Sequence, residues 1–386
     1  MDTRSRAAAL FLYNSCLAVF LSYGVFFSRI STEFNLPASS TSLVFGVFAA
    51  LYSASSLLLG LFMNRRGPAT TMLVGGALMG GGLFLSSLAN SFPLLLLTYG
   101  VIGGSGSGSM WLPTSYVVFD SFGSDRIRQV TGLVSAGTAA GLLFFPPLEA
   151  YLIAAFGLRA AFAAVGGVVL LFTLLAYQSS RGTGVAPRFD FGASVRNLRT
   201  RRFGYLYTYY AAGNAFARIL VTIFVVPLFE SRGLGPGIGT LALSMVGVGS
   251  MMGRLSAGAR GVSEETMAAL GFFLQGVSAL GLYFSTSAPL VILFAVLFGA
   301  GYGTYIPEFA LLVRKYYGVE NYGTIFGTLL TSFGIGAFIG PVFEGSEISS
   351  RGDYLIGFIL AAAASIAVGA HLILVARNQN REQRNT

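Results

Sequence analysis

Apolar stretches long enough to cross a bilayer follow one another along almost the whole chain, separated by short polar turns. A spanning helix needs roughly 18–20 consecutive apolar residues, and a spanning β-strand only about half as many. Several stretches here exceed the helical length. In hydrocarbon every backbone N–H and C=O has to be bonded within the protein, and helices of this length do that segment by segment. Composition agrees, because 54% of the residues are hydrophobic and only 10% charged, against about 25% charged in a soluble domain. The expected fold is an all-α polytopic membrane protein.

Twelve transmembrane helices are expected, near 7–33, 39–63, 69–89, 92–119, 128–153, 158–178, 204–230, 238–258, 265–286, 289–313, 322–345 and 352–376. The connections are short except for a polar stretch rich in arginine. That stretch divides the chain into an N-terminal six-helix bundle (1–178), a cytoplasmic linker (179–203) and a C-terminal six-helix bundle (204–386). The first apolar stretch, from about Ala7, is too long for a signal h-region and is expected to serve as both insertion signal and first helix. Cys16, the single cysteine, lies within it, so no disulfide forms within the chain.

Charge sets the orientation. With both termini cytoplasmic, the inner side holds eighteen basic residues, among them Arg4, Arg6, Arg65, Arg66, Arg126, Arg188, Arg260, Arg314 and Lys315. The outer side receives four: Arg29, Arg159, Arg232 and Arg351. This is a positive-inside bias, expected of a multi-pass protein of the cell (inner or plasma) membrane. The same bias accounts for the net charge of +9 as topology signals facing anionic lipid, with no nucleic acid involved.

The two halves repeat one another. Gly104, Gly106 and Gly108 recur as Gly299, Gly301 and Gly303, each displaced by 195 residues. The same displacement carries Gly132 to Gly327, Gly141 to Gly336, Glu149 to Glu344, and Arg65 to Arg260. Seven matches at one offset indicate an internal duplication, of the parallel kind whose halves are related by an axis along the membrane normal. The run from Gly104 to Gly108 is not a nucleotide loop, since no strand precedes it and it lies within the membrane.

Two arginines stand inside apolar stretches. A guanidinium does not deprotonate, and near the centre of a membrane helix it costs roughly 2.5–3.5 kcal/mol on translocon scales. Arg254, in VGVGSMMGRLSAG, has no acid in its own helix and reads as the receptor for an anionic substrate; the alternative is an arginine snorkelling to the cytoplasmic surface. Arg218 lies near the middle of the seventh stretch, as either a second anion contact or the partner of a buried acid. Glu308, after Pro307 in the tenth stretch, is that acid or a proton-coupling site. Glu149 and Glu344, near the outer ends of the fifth and eleventh helices, point to a shared structural role.

Several stretches resemble the major facilitator superfamily, most closely its branch of monocarboxylate transporters and oxalate/formate exchangers. These are SYGVFFSRISTEFNLPASSTSLVF, VTGLVSAGTAAGLLFFPPL, VVPLFESRGLG, GRLSAG and GTIFGTLLTSFGIGAFIGP. GLFMNRRGP, residues 60–68, looks like the superfamily's loop between helices 2 and 3, with Asn64 and Pro68 in place of the usual acid and final base. The resemblance implies a gating role for Arg65 and Arg66, carboxylate binding by Arg254, and a fold that usually works as a monomer. Tyr23, Phe27, Trp111, Tyr302 and Tyr305 are the expected cavity liners. Members of the branch place a lysine near Phe27 or an asparagine near Met110, so this chain is expected to prefer a carboxylate with an apolar or aromatic body.

The expected function is secondary active transport of a small organic anion, proton-coupled or exchanging, with no cofactor. Its partners would be the anion, protons and the lipid bilayer. Proton-driven efflux of lipophilic or cationic drugs is the alternative, and a non-transporting sensor on the same fold a further one. An enzyme is not expected: no metal-ligand cluster or nucleophile–histidine pair is present, and the sole histidine, His371, stands apart.

Overall fold

Turn residues cut the apolar stretches into helices, and two glycines show how. Gly67, at φ 80°, ends one helix and the next begins at once with Pro68, a residue suited to the first helical position, where its missing N–H costs nothing. Gly157, at φ 84°, breaks the long run Ile127–Ser180 into two arms. At 1.5 Å per residue these arms are roughly 45 and 35 Å long, each enough to span.

The computed structural model describes residues 3–122, 127–184, 196, 199–234, 236–256, 262–317 and 322–384. Arg126, Arg188, Gly258 and Arg260 lie outside them. Helix α1 comprises Thr3–Ser15, Leu17–Leu21 and Tyr23–Glu33, bent by 45° at Ser22. It is followed by α2 (Ala38–Arg66) and α3 (Pro68–Ser86). Helix α4 joins Phe92–Leu95, a π-helical stretch Leu96–Gly103, Gly104–Ser107 and Leu112–Ser121. The arms of Ile127–Ser180 before and after Gly157 are α5 and α6. Helix α7 joins Arg201–Tyr209, a π-helical stretch Tyr210–Ala217 and Arg218–Ser231. Then come α8 (Pro236–Ser256), α9 (Glu264–Phe284), α10 (Ala288–Tyr317), α11 (Tyr322–Arg351) and α12 (Leu355–Arg384).

All twelve sequence-expected helices are present among the described residues. By length and hydropathy alone eight pass as membrane spans, or nine with the bent α1. Three helices make up the shortfall from twelve: α5 and α6 count as one run, α4 is interrupted, and α8, which carries Arg254 and several glycines, is not among those that pass. The sixth helix runs on to Ser180 and the seventh starts at Arg201, so helix occupies both ends of the stretch assigned to the linker.

Four of the five duplicated glycine pairs pack alike in both halves. A Cβ on Gly104 or Gly108 would strike α2 at Phe48 or Ser55–Ser56, and one on Gly106 would strike α3 at Gly75 and Met79. Correspondingly, Gly299 and Gly303 abut α8 at Val246 and Ser250, and Gly301 abuts α9 at Gly271 and Gln275. Helix α4 is thus wedged between α2 and α3 as α10 is between α8 and α9. Gly141 on Ser15 of α1 and Gly336 on Ala211 of α7 extend the correspondence. Small residues let backbones approach this closely, which is how helices associate where lipid is as apolar as leucine.

Among the described residues the halves meet along three main seams. Helix α2 runs against α11, with Gly46 on Phe338 and Val342, and Gly334 donating its N–H to Ser53 Oγ at 3.1 Å. Helix α5 runs against α8, with Gly247 on Ala139 and Leu143. At one end α1 meets α7, where Gly24 abuts the Ile223 carbonyl and Phe27 packs edge-on against Phe224, 5.2 Å between centroids.

Candidate substrate site

Helix α7 is the most enclosed candidate span, with 89% of its apolar window buried. Arg218 is 6% exposed there. The preceding π-helical stretch changes the phase of the helix just before it; such stretches occur frequently at functional sites. The Arg218 Nε donates to the Asn214 carbonyl at 3.3 Å. Its guanidinium lies over two rings, 4.9 Å from the centroid of Tyr302 and 5.5 Å from that of Phe333. A desolvated cation–π contact of this kind is worth about 2 kcal/mol or more.

Arg254 reaches the same tyrosine from α8. It is half-buried, with Cζ 5.8 Å from the Tyr302 centroid and Nη2 donating to the Tyr302 hydroxyl at 3.5 Å. Its Nη1 donates across the α5–α8 seam to the Ser135 carbonyl. The side chain therefore points into the protein and not along its helix to the membrane surface. Its Nε is buried with no partner. Among the described residues, ion pairs join Arg159 to Glu33, Lys315 to Glu264 and Glu265, and Arg351 to Glu347; none involves Arg218 or Arg254. The arrangement is two fixed cations facing one buried phenol, with a free guanidinium donor between the halves.

The other predicted residues divide. Tyr302 joins the two arginines. Tyr305, three residues on, is turned into the C-terminal half: its hydroxyl donates to Gln275 Oε1 at 2.8 Å and Asn214 Oδ1 at 3.2 Å, and its ring stacks on Phe272 at 4.0 Å. Tyr23 lies within the N-terminal half, donating to the Thr41 carbonyl at 2.8 Å and packed against Phe45 and Tyr99. Phe27 stands at the α1–α7 seam. Trp111 borders a small cleft with Ser56, Gly60, Gly327 and Leu330, where α2, α4 and α11 come together. Glu308 is buried on α10; the contacts that hold Arg218 are a carbonyl and two rings, and Glu308 is not among them. Arg65 and Arg66 are exposed at the C-terminus of α2, where their charge complements the helix dipole. His371 bonds the Tyr209 hydroxyl on the α7–α12 contact, far along the chain from the paired arginines.

The site also includes aromatic residues that the sequence did not single out. Phe333 is the second face over Arg218 and meets Tyr52 (5.4 Å), Phe20 (6.1 Å) and Tyr210 (6.4 Å). Phe20 in turn stacks on Phe45, Phe48 and Tyr52. One continuous aromatic cluster thus bridges α1 and α2 to α7 and α11 directly beside the buried cation.

Comparison with known proteins agrees with this architecture. The Major Facilitator Superfamily model matches residues 9–341 and 260–386. The chain is 26% identical over 369 residues to monocarboxylate transporter 4 of Rattus norvegicus, covering 91% of this chain and 78% of that one. It is 24% identical to monocarboxylate transporter 11 of Homo sapiens, covering 92% and 79%. In fold it is similar to a bacterial homologue of the human lysosomal transporter Spinster, solved in an inward-facing and occupied conformation. That match has a TM-score of 0.72 at 16% identity, with 96% of each chain covered. With its duplicated helical halves and its family match, the chain belongs to the major facilitator superfamily, a family of membrane transporters and not of enzymes.

Proposed function

We propose that this protein is a secondary transporter of a small organic monoanion, a carboxylate carried on an apolar or aromatic body. The observation that carries the reading is the buried, unpartnered Nε of Arg254 beside Arg218 and Tyr302. An uncompensated cation inside a membrane protein marks an ion or substrate pathway, and a carboxylate takes a guanidinium's parallel donors in bidentate fashion. The aromatic cluster around Phe333 supplies a flat apolar wall for the rest of the molecule. The monocarboxylate transporters to which the chain is similar support the same substrate class.

On this reading the anion enters from one side, takes the free Nε–H of Arg254 and relieves the charge that opposes closure. Arg218 assists by charge, and Glu308 is the candidate proton site. With both termini cytoplasmic in the cell membrane, the α1–α7 contact lies on the outer side, and the present structure is closed there. Arg65 and Arg66 form the inner gating loop, and the protein works as a monomer by alternating access. Melting of the purified protein against lactate, benzoate, succinate and a lipophilic cation tests the reading. A ligand that binds only the folded form adds about 2.7 kcal/mol at one hundred times its dissociation constant. An upshift with the monocarboxylates is expected; an upshift with the cation alone would contradict it.

A further inference from the structure

Two buried carboxyl groups stand outside the anion site. Glu149 on α5 and Glu344 on α11 occupy equivalent places in the two halves, three residues beyond Pro146 and Pro341. Both are fully buried, and no hydrogen bond of ordinary geometry reaches any of their four carboxyl oxygens; the nearest donors are the Ser22 hydroxyl at Glu149 and the Gly357 N–H at Glu344. Leaving a bare carboxylate in such surroundings is far costlier than leaving a neutral acid. One unsatisfied acid is a local oddity; the same acid kept at both positions of a duplicated fold calls for a common cause.

Each of them is tied to a seam between the halves. Glu149 lies beside Ser22, at the 45° bend of α1. The Ser22 hydroxyl is engaged with the Val19 carbonyl at 3.2 Å, and two residues further on Gly24 abuts Ile223 of α7. The titratable groups around Glu149 are phenols: Tyr99 of α4, whose buried hydroxyl is also unpartnered, and behind it Tyr23 of α1. Glu344 presses on Gly357 of α12, and its neighbour Gly345 abuts Ser42 of α2. The groups facing Glu344 are Glu347 on its own helix, Asp353 and Tyr354 before α12, and Glu230 at the end of α7 is close to that tyrosine. Arg351 engages Glu347 at 3.3 Å, and Asp353 accepts the Tyr283 hydroxyl at 2.9 Å. No base among the described residues is paired with either Glu149 or Glu344.

We infer that Glu149 and Glu344 are a matched pair of proton-binding sites that hold the α1–α7 end of the protein closed. With the seams shut, each carboxyl keeps its proton. When α1 parts from α7 and α11 from α2, water reaches the groups and each O–H proton passes to it, leaving a solvated carboxylate that resists reburial. Proton uptake then precedes closure. These sites are separate from the anion site, so the inference stands or falls independently of it.

Infrared spectroscopy of the full-length protein in lipid reads the acid form directly. The wild type is expected to show a carbonyl-stretch band of protonated carboxylic acid at neutral pH that shifts only slowly in D2O. E149Q and E344Q should each remove part of that band, while E33Q, at the exposed Glu33–Arg159 pair, should leave it unchanged. G24L, which forces α1 away from Ile223, should speed the D2O shift. A wild type without the band, a band unchanged in both glutamine variants, or an exchange rate unaffected by G24L would overturn the proposal. The wild-type band is decisive even where a variant fails to fold.

Discussion

Arg254 of α8 donates across the seam between the halves to the backbone carbonyl of Ser135 on α5, while its other terminal nitrogen bonds Tyr302 within its own half. On the proposed function, one side chain would belong at once to the substrate site and to the contact between the halves. An anion bound at the remaining donor would then hold the guanidinium in the position that makes this cross-seam bond. Binding and closure would be linked through a single group, without any relay of intermediate residues.

Tyr302 serves the two arginines through different atoms, and substitutions separate them. Tyr302→Phe keeps the ring over which Arg218 lies and removes the hydroxyl that orients Arg254. Loss of one hydrogen bond of about 0.5–1.5 kcal/mol should weaken anion binding by roughly two- to twelve-fold. Tyr302→Ala also removes a cation–π contact of about 2 kcal/mol and should weaken binding further. Titration of the melting temperature with lactate for both variants checks the order; equal affinities would contradict it.

Tyr305 gives the opposite expectation. Its hydroxyl bonds Gln275 and Asn214 inside the C-terminal half, and Gln275 goes on to the Gly213 carbonyl and Ser365. Tyr305→Phe leaves buried acceptors unsatisfied, at a cost of about 1–3 kcal/mol. The melting temperature of the protein without ligand should fall while its affinity for the anion stays near wild type. A variant of unchanged stability and lost binding would move Tyr305 into the site.

The glycine wedge is testable in the same way. An alanine Cβ at Gly301 would fall 2.6 Å from the Gly271 carbonyl oxygen, and backbone on both sides leaves it nowhere to go. Gly301→Ala should destabilise by about 1–3 kcal/mol through overpacking. Gly167→Ala, where nothing lies within 4 Å of the new atom, should change stability by no more than about 0.5 kcal/mol. Thermal melting of the two variants side by side decides it, and similar losses would mean that the wedge is not close-packed.

The helices were legible because hydrocarbon leaves the backbone few options, so the length of an apolar run largely determines the element. The repeat was legible as well, since Gly104–Gly108 and Gly299–Gly303 have to be small for the same packing reason. Arg218 and Arg254 stood out by cost alone. Their convergence on Tyr302 did not, because the phase of α7 is reset by the π-helical stretch Tyr210–Ala217 in a run with no polar face to reveal it. Phe333 and Phe20 were hidden among 34 phenylalanines, with nothing in their type to separate a site wall from lipid-facing packing. Gln275 was the missed signal: a buried amide in an apolar helix has to find partners, and its bonds to Gly213, Ser365 and Tyr305 mark where α9 joins α7, α12 and α10.

The central claim is that Arg254 receives the anion. Purified Arg254→Ala and Arg254→Lys proteins, reconstituted in liposomes, would be assayed for uptake of labelled lactate and benzoate beside the wild type. The account predicts loss of uptake in the alanine variant and at most partial recovery in the lysine variant, since an ammonium lacks the parallel donors of a guanidinium. Wild-type uptake by Arg254→Ala would contradict it.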